Sequence, residues 1–454
     1  MNESALSTAS DASPVAWVLG GLSGTFVMAA LVEPWTRWTT TAEPAWAFPP
    51  DPSVPIMGRA VLSLALCFLV CASAAWVLRD TSSRLRLWTV LGVGFLASLW
   101  ISFPGHGGDG IGDLVSKAQA LKEGGNLFTG GEFLGYLSYV ILMNLSPLDW
   151  HSSTFAVARI LGLIGVAGLL WLARSLSPQT DSPLARAQLL TALLASPFLI
   201  LLGPYPQSTT LMNALTPCFL ASGLLTLRET GSRQAFLSAL SGGLLGLAVA
   251  AHGTAWFLGL GAAWLTCVLL RRAPRYAAYF AAAFTIPAGL SFLIDASWHD
   301  RRASNWGFTE LDPDTLLNQL GGPLGVLGGS DYFHRPFLDE LTAWILSAAP
   351  SLGVGLIALS ILMVRRVPWA ERTTEAFFLG LCALGAAVLW ATWELWERYP
   401  SDWDITAVLA LTGHALVLLI VSKLSGRIRA AALGAAAGAS SYSLVSLAAV
   451  FTVN

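Results

Sequence analysis

Basic and acidic residues alternate between the apolar stretches of this chain, and that alternation constrains the fold more than any other feature. Lys and Arg gather in every second gap. These gaps contain Arg79, Arg84 and Arg86; Arg174 and Arg186; Arg228 and Arg233; Arg271, Arg272 and Arg275; Arg365, Arg366 and Arg372; and Lys423, Arg427 and Arg429. They hold 16 of the 25 Lys and Arg, and positive loops of membrane proteins stay cytoplasmic. The alternate gaps carry most acids and are predicted to lie outside.

Composition places the chain in a membrane. It has 454 residues, 55% hydrophobic and 11% charged, with a mean hydropathy of +0.63, whereas soluble domains carry roughly 25% charged residues. Apolar runs long enough to cross a bilayer lie near 15–33, 57–78, 87–103, 153–173, 187–203, 209–227, 235–251, 254–270, 276–295, 341–364, 375–396, 404–422 and 430–452. The sequence predicts an all-α, polytopic integral membrane protein forming one transmembrane domain over 1–454, with the N-terminus cytoplasmic, the C-terminus outside and no nucleic-acid partner.

Two long external segments interrupt this pattern, at 104–152 and 297–340. The first opens with PGHGGDGIGD and continues as DLVSKAQALKEGG, which predicts an amphipathic interfacial helix with Asp113 near its start and Gly124 as its stop signal. The apolar run 133–148 within it is short. Counting that run as a crossing would move Arg174 and Arg186 outside, so we predict an interfacial or re-entrant helix.

The Gly-rich segment holds the first candidate site. Asp109 would be a general base, supported by Asp113 one helical turn away. A helix that begins near Gly110 would favour a phosphate or carboxylate at its N-terminus, and His106 could orient that phosphate. The structural alternative is a solvated turn in which Asp113 is the helix N-cap.

Two polar breaks between apolar helices are further candidates. Gln207, in GPYPQSTT at 203–210, could hydrogen-bond a sugar hydroxyl, or the segment could be a simple proline-rich turn. His252 separates two apolar runs at the predicted outer face. A lone His in such a position is also often a satisfied structural residue.

Charged side chains in the remaining external segments could bind a phosphate and a sugar. Candidate phosphate ligands are Arg301, Arg302 and Arg335, although salt bridges with nearby acids are the alternative. A cluster of tryptophans with Glu394, Arg398, Asp402 and Asp404 has the composition of a sugar site or of an interfacial aromatic belt. Arg159 lies inside an apolar run, with Asp149 as its predicted partner. Five cysteines, all in apolar stretches, argue against a disulfide framework by their odd number and are predicted to be small core residues.

The order of these features resembles the GT-C superfamily of polytopic membrane glycosyltransferases. The resemblance rests on GDGIGDLVSKAQALKEGGNLF at 108–128, the Arg-bearing span FAVARILGLIGVAGLLWLAR, the polar break GPYPQSTT and a long late external loop. It implies transfer of a sugar from a polyprenyl-phosphate donor to a lipid or glycan acceptor on the outer face of the membrane, in the cell envelope. It also implies direct displacement without a required metal, although a divalent ion at Asp109 and Asp113 is compatible with the sequence.

Two other functions fit the sequence. A transporter or flippase for a lipid-linked or polar solute would need polar residues near the bilayer midplane, where Asn213, Arg159 and His414 are the few candidates. A non-catalytic membrane subunit, or a ligase for polymeric glycans, is the third; a ligase would want larger external loops rich in Arg.

Overall fold

The architecture is helical throughout the part of the chain that the structure describes. A computed structural model describes residues 13–39, 55–78, 109–123, 133–177, 181–202, 206–297, 350–365, 373–397 and 403–453. Within these ranges all regular structure is helical, with fourteen α-helices, two 3₁₀ helices and no strand. This confirms the all-α prediction, as expected for a chain whose backbone polar groups must be satisfied without water.

The α-helices are α1 (Pro14–Thr39), α2 (Ile56–Leu78), α3 (Asp109–Lys122), α4 (Phe133–Leu145), α5 (Trp150–Leu176), α6 (Pro183–Leu194), α7 (Thr210–Arg228), α8 (Gly231–Ala251), α9 (Gly259–Arg272), α10 (Pro274–Ser297), α11 (Leu352–Val364), α12 (Thr373–Glu397), α13 (Trp403–Val421) and α14 (Gly426–Val453). The 3₁₀ helices are Pro197–Leu201, between α6 and α7, and Gly253–Leu258, before α9. Seven helical stretches in the described ranges are long and apolar enough to cross a membrane. The chain is therefore a polytopic integral membrane protein, and the count of 13 crossings stays a prediction because the expected span 87–103 lies outside the described residues.

One predicted span, 187–203, is not a continuous helix. α6 ends at Leu194 and the chain continues as the 3₁₀ helix Pro197–Leu201. Pro197 has no amide hydrogen to continue the α-helical bonding, and the Ser196 hydroxyl accepts a hydrogen bond from the Phe198 amide at 3.4 Å. The chain therefore has a helix break inside an apolar run that the sequence predicted as a single span.

Several predicted basic gaps meet at one end of the helix bundle. Arg228, at the end of α7, makes two hydrogen bonds of 2.6 Å to Glu375 at the start of α12. The Arg272 guanidinium, at the end of α9, donates to the Leu227 carbonyl at 2.9 Å. The α5–α6 connection and the start of α14 are likewise joined by an ion pair between Asp181 and Arg429. These contacts fit the predicted topology, and the assignment of this end to the cytoplasm stays a prediction from the charge rule.

The first and last helices pack with almost no space between their backbones. A Cβ atom added to Gly20 or Gly24 of α1 would overlap the carbonyl of Ala431 or Ala435 in α14, respectively. Gly434 contacts α1 in the same way. Glycines four residues apart allow this close approach between membrane helices. The sequence carries that spacing on both helices, but it did not reveal which helices would meet.

A second close approach makes a direct stability prediction. A Cβ on Gly242 of α8 would overlap the Phe280 carbonyl of α10, whereas a Cβ on the adjacent Gly243 would meet no atom within 4 Å. We expect Gly242→Ala to lower the free energy of unfolding by about 1–3 kcal/mol through overpacking. Gly243→Ala should leave stability unchanged or raise it, since alanine favours the helix. Thermal unfolding of both variants in detergent measures this; equal shifts would contradict the packing.

Candidate functional site

The helix that carries the predicted general base begins at that residue. α3 runs from Asp109 to Lys122, so Asp109 and Asp113 lie in i, i+4 register in its first turns. The sequence predicted an amphipathic helix with Asp113 near its start, and the structure begins this helix four residues earlier, next to the Gly110 start that anion binding would require. The alternative in which Asp113 is the helix N-cap is wrong, because the helix begins four residues earlier. Asp109 therefore lies at the positive end of the helix dipole, where a negative group is stabilised.

α3 is held against the bundle by its apolar face, as the amphipathic pattern predicted. Leu114 and Ala118 are buried in a cluster with Tyr136 and Tyr139 of α4 and with Val157 of α5. On the same helix, the Lys117 ammonium lies 3.6 Å from the centre of the Tyr136 ring, a cation–π contact. The backbone around Asp109 and Asp113 is thus positioned by α4 and α5.

α4 also contacts both predicted polar breaks. Gly135 lies against the carbonyls of Ser208 and Ala251, and a Cβ at this position would overlap both. One turn further along α4, the Tyr139 hydroxyl donates to the Thr210 Oγ1 atom at 3.0 Å. Because α4 packs against α3 as well, it joins the helix of Asp109 to the Gln207 and His252 segments. This supporting role of α4 was not predicted, although the Gly135–Tyr139 spacing is visible in the sequence.

Gln207 lies in the first of these breaks and is partly buried. Its backbone amide donates to the Thr210 Oγ1 atom at 3.1 Å, so Thr210 receives hydrogen bonds from Gln207 and Tyr139 together. Burial raises the pKa of the Tyr139 hydroxyl, which keeps it a neutral donor.

α4 has 13 residues, about 20 Å of helix, which is too short to cross a bilayer. The polar break is therefore ordered by contacts from a short helix, and the interfacial or re-entrant position of that helix stays a prediction.

His252 occupies the second break, between α8 and the following 3₁₀ helix. Its Nδ1 atom accepts from the Thr254 amide at 3.3 Å and lies 2.7 Å from the Thr254 hydroxyl. The side chain is buried. This geometry gives His252 the structural role of capping the 3₁₀ helix, while placing it beside Ala251, which contacts α4.

Two substitutions separate capping by His252 from ligand binding. Asn can accept a hydrogen bond from the Thr254 amide, so we expect His252→Asn to retain nearly full stability. His252→Ala removes the acceptor and should cost about 1 kcal/mol. Thermal unfolding and substrate binding of the two variants provide the measurement. If both variants keep wild-type stability but lose binding equally, His252 contacts the substrate and the capping role is secondary.

The backbone of α12 extends toward the same end of the bundle as His252. A Cβ on Gly385 of α12 would overlap the Phe257 carbonyl, so these residues fix the level of α12 beside the 3₁₀ helix. Glu394 is nine residues beyond Gly385, about 14 Å further along α12. His252 is five residues before Phe257, about 10 Å in the same direction. Asp404 is the second residue of α13, which begins at Trp403. Arg398 and Asp402 lie outside the described residues.

The remaining predicted site residues are either outside the described ranges or differently engaged. His106, Arg301, Arg302 and Arg335 lie outside them. Asp149 is the N-cap of α5 and accepts from the Ser152 amide at 3.0 Å. Arg159 is ten residues further along that helix, about 15 Å away. The expected direct pair between Asp149 and Arg159 was therefore wrong, because the two sit three helical turns apart.

The described ranges also contain cysteines and other possible metal ligands. No group of three or more His, Cys, Asp or Glu residues in them could hold a metal ion. A divalent ion at Asp109 and Asp113 stays an untested prediction. All five cysteines are free thiols. Four are buried, as predicted, whereas Cys267 is exposed, so its prediction as a core residue was wrong.

Fold and composition define this chain as an all-α polytopic integral membrane protein with polar segments gathered at one end of its bundle. It is similar in structure to ArnT from Cupriavidus metallidurans in its crystallised apo state, with 16% sequence identity, a TM-score of 0.40 and coverage of 76% of this chain and 78% of that one. No family model and no curated protein matches the chain. So loose a superposition carries no functional argument, and activity must be argued from the residues.

Proposed function

We propose that this protein is a membrane glycosyltransferase of the GT-C type, which moves a sugar from a polyprenyl-phosphate donor to an acceptor on the outer face of the membrane. One observation carries the proposal. α4 joins the helix that begins at Asp109 to the polar breaks containing Gln207 and His252. Three segments predicted from sequence to form a site are thus neighbours through one interfacial helix.

The chemistry follows from the positions of these segments. Asp109 would remove the proton from the acceptor hydroxyl, whose oxygen would then form a bond to the anomeric carbon of the sugar. The bond from that carbon to the phosphate oxygen would break, and the lipid phosphate would leave with the electron pair. Asp113 would support Asp109, and Gln207 would hydrogen-bond the sugar. Arg301, Arg302 or Arg335 would neutralise the departing phosphate.

A lipid-linked donor suits a site on an integral membrane protein. The apolar tail would stay between helices or in the bilayer, and its binding energy would hold the reacting phosphate and sugar in place. The leaving group would be a lipid phosphate, which cationic side chains can stabilise without a metal. The carboxylates of Glu394, Asp402 and Asp404 would accept hydrogen bonds from the sugar hydroxyls, and Arg398 would donate hydrogen bonds to them.

Native mass spectrometry tests the donor class. Purified protein is incubated with polyprenyl phosphates and polyprenyl-phosphate sugars, with a zwitterionic phospholipid of similar chain length as the control. We expect selective retention of the phosphate-linked prenyl lipids. Equal retention of the control lipid, or no retention of any prenyl phosphate, would overturn the proposal.

A transporter or flippase is the second candidate, favoured by one observation. α6 is interrupted inside the apolar region, and His414 is buried next to that interruption, with its Nε2 atom 2.8 Å from the Ala192 carbonyl. Broken helices near the midplane form the binding sites of many transporters. Reconstituted vesicles that move a lipid-linked sugar between leaflets, without transferring the sugar, would favour this function over the first.

A further inference from the structure

His414 connects three separate elements in the interior of the bundle. It lies on α13, eleven residues from Trp403, or about 16 Å along the helix. Its side chain is 2% exposed. The Nε2 atom lies 2.8 Å from the Ala192 carbonyl of α6, and the Nδ1 atom lies 2.5 Å from the hydroxyl of Ser351, which precedes α11. One imidazole ring therefore links α6, α11 and α13.

The bond to Ala192 compensates for the break in α6. In a continuous helix the Ser196 amide would donate to the Ala192 carbonyl. Here the Ser196 amide donates to the Leu193 carbonyl instead, at 3.3 Å. The next residue, Pro197, has no amide hydrogen to offer. An unsatisfied carbonyl in an apolar interior is costly, and His414 supplies the missing donor.

The bond to Ser351 replaces an ordinary helix cap. Ser351 occupies the N-cap position of α11, but its side chain makes no capping hydrogen bond to that helix. Serine is a preferred N-cap residue because its hydroxyl usually satisfies a free amide. In this protein the hydroxyl binds His414 instead, so both helix ends direct their polar groups to the same ring.

These contacts define one tautomer. A carbonyl can only accept, so Nε2 must carry the hydrogen that is donated to Ala192. A buried positive charge in an apolar interior is costly, which makes the ring neutral. Nδ1 then accepts from the Ser351 hydroxyl.

We infer that His414 is a positioning residue for the proposed site. α6 leads through its break to the Gln207 turn, and α13 carries Asp404 ten residues before His414, about 15 Å away. His414 would fix these two segments relative to each other without contacting the substrate. The link from His414 to substrate rests on the proposed function. The tautomer does not rest on it, and neither does the pair of hydrogen bonds by which His414 joins α6 to α11 and α13, which we call the His414 joint.

The first test measures the tautomer of His414, which the His414 joint requires. Protein labelled with ¹⁵N-histidine is studied by NMR, and His414→Gln identifies the His414 signals among the six histidines. We expect the neutral Nε2–H tautomer. The Nδ1–H tautomer or a charged ring would overturn the inferred joint, whether or not the protein transfers sugars.

The second test separates positioning from general destabilisation. The Gln side chain can still donate to the Ala192 carbonyl, so His414→Gln should keep the affinity for a polyprenyl phosphate within about threefold, whereas His414→Ala should weaken it about tenfold. Gly242→Ala, which perturbs packing between α8 and α10, is the matched destabilised control and should keep near-wild-type affinity. An equal loss in Gly242→Ala would overturn the positioning role. Failure of the wild-type protein to bind the lipid would overturn the proposed function and, with it, the link from His414 to substrate, while the NMR result would still decide the joint.

Discussion

Asp109→Asn is expected to lower sugar transfer by at least about 10²-fold while the protein stays folded. A positioned general base contributes about 10²–10⁴-fold to rate, and Asn has nearly the same shape but cannot accept the proton. The loss of a negative charge at the start of α3 should cost only about 0.3–1 kcal/mol of stability. The measurement is transfer from a radiolabelled polyprenyl-phosphate sugar, with thermal unfolding recorded on the same preparation.

Asp113→Asn is the matched control on the same helix. Asp113 lies four residues further along α3, so the substitution removes the same charge one helical turn away. We expect a smaller loss of rate, because Asp113 has a supporting role. Unchanged transfer by Asp109→Asn would eliminate Asp109 as the base, and a larger loss for Asp113→Asn would exchange the two roles.

Asp181→Ala is expected to be the most destabilising single substitution proposed for this protein. The Asp181 carboxylate accepts two hydrogen bonds of 2.6 Å from Arg429 and one of 2.7 Å from the Ser177 hydroxyl. The two charged side chains are 2% and 4% exposed. Removing the carboxylate leaves a buried guanidinium without its counter-ion, which costs about 3–5 kcal/mol. Unfolding in detergent with increasing denaturant provides the measurement.

Two further variants are controls for this experiment. One breaks an exposed ion pair, and the other replaces both members of the buried ion pair. Arg233 lies 3.3 Å from Glu229, and its side chain is 68% exposed, so Arg233→Ala should cost less than about 1 kcal/mol. Replacing both Asp181 and Arg429 with apolar residues should recover most of the stability lost in Asp181→Ala. If Asp181→Ala lowers the free energy of unfolding no more than Arg233→Ala does, the Asp181–Arg429 pair does not stabilise the contact between α14 and the α5–α6 connection.

The bounds of several described helices could be predicted from sequence alone. The expected span 209–227 is α7 at Thr210–Arg228, and the expected span 375–396 is α12 at Thr373–Glu397. The reason is that a bilayer requires each crossing to be apolar and to satisfy its own backbone hydrogen bonds. The same pattern identified α3 as an amphipathic helix but placed Asp113 near its start, whereas the helix begins at Asp109.

The candidate site was only partly predictable. Sequence patterns selected Gln207 and His252 as polar interruptions, and the structure brings their segments to α4. The supporting hydrogen bond from Tyr139 to Thr210 joins residues 71 positions apart. No local sequence pattern predicts such a pair. His414 was recognised as polar and intramembrane, but its partners Ala192 and Ser351 depend on how three helices pack.

By itself the sequence determined that this is an all-α polytopic membrane protein, which runs of residues are helical and which polar segments interrupt them. Only the tertiary structure decided which helices are neighbours and where α6 ends. It also decided that His414 donates to the Ala192 carbonyl, which the helix break leaves without its usual donor. The physical reason is that an apolar side chain is equally stable against lipid tails and against another helix. Hydropathy therefore does not specify which face of a helix packs against its neighbours. Close glycine contacts, such as that of Gly20 with Ala431, and buried hydrogen bonds make that choice, and both depend on residues far apart in the chain.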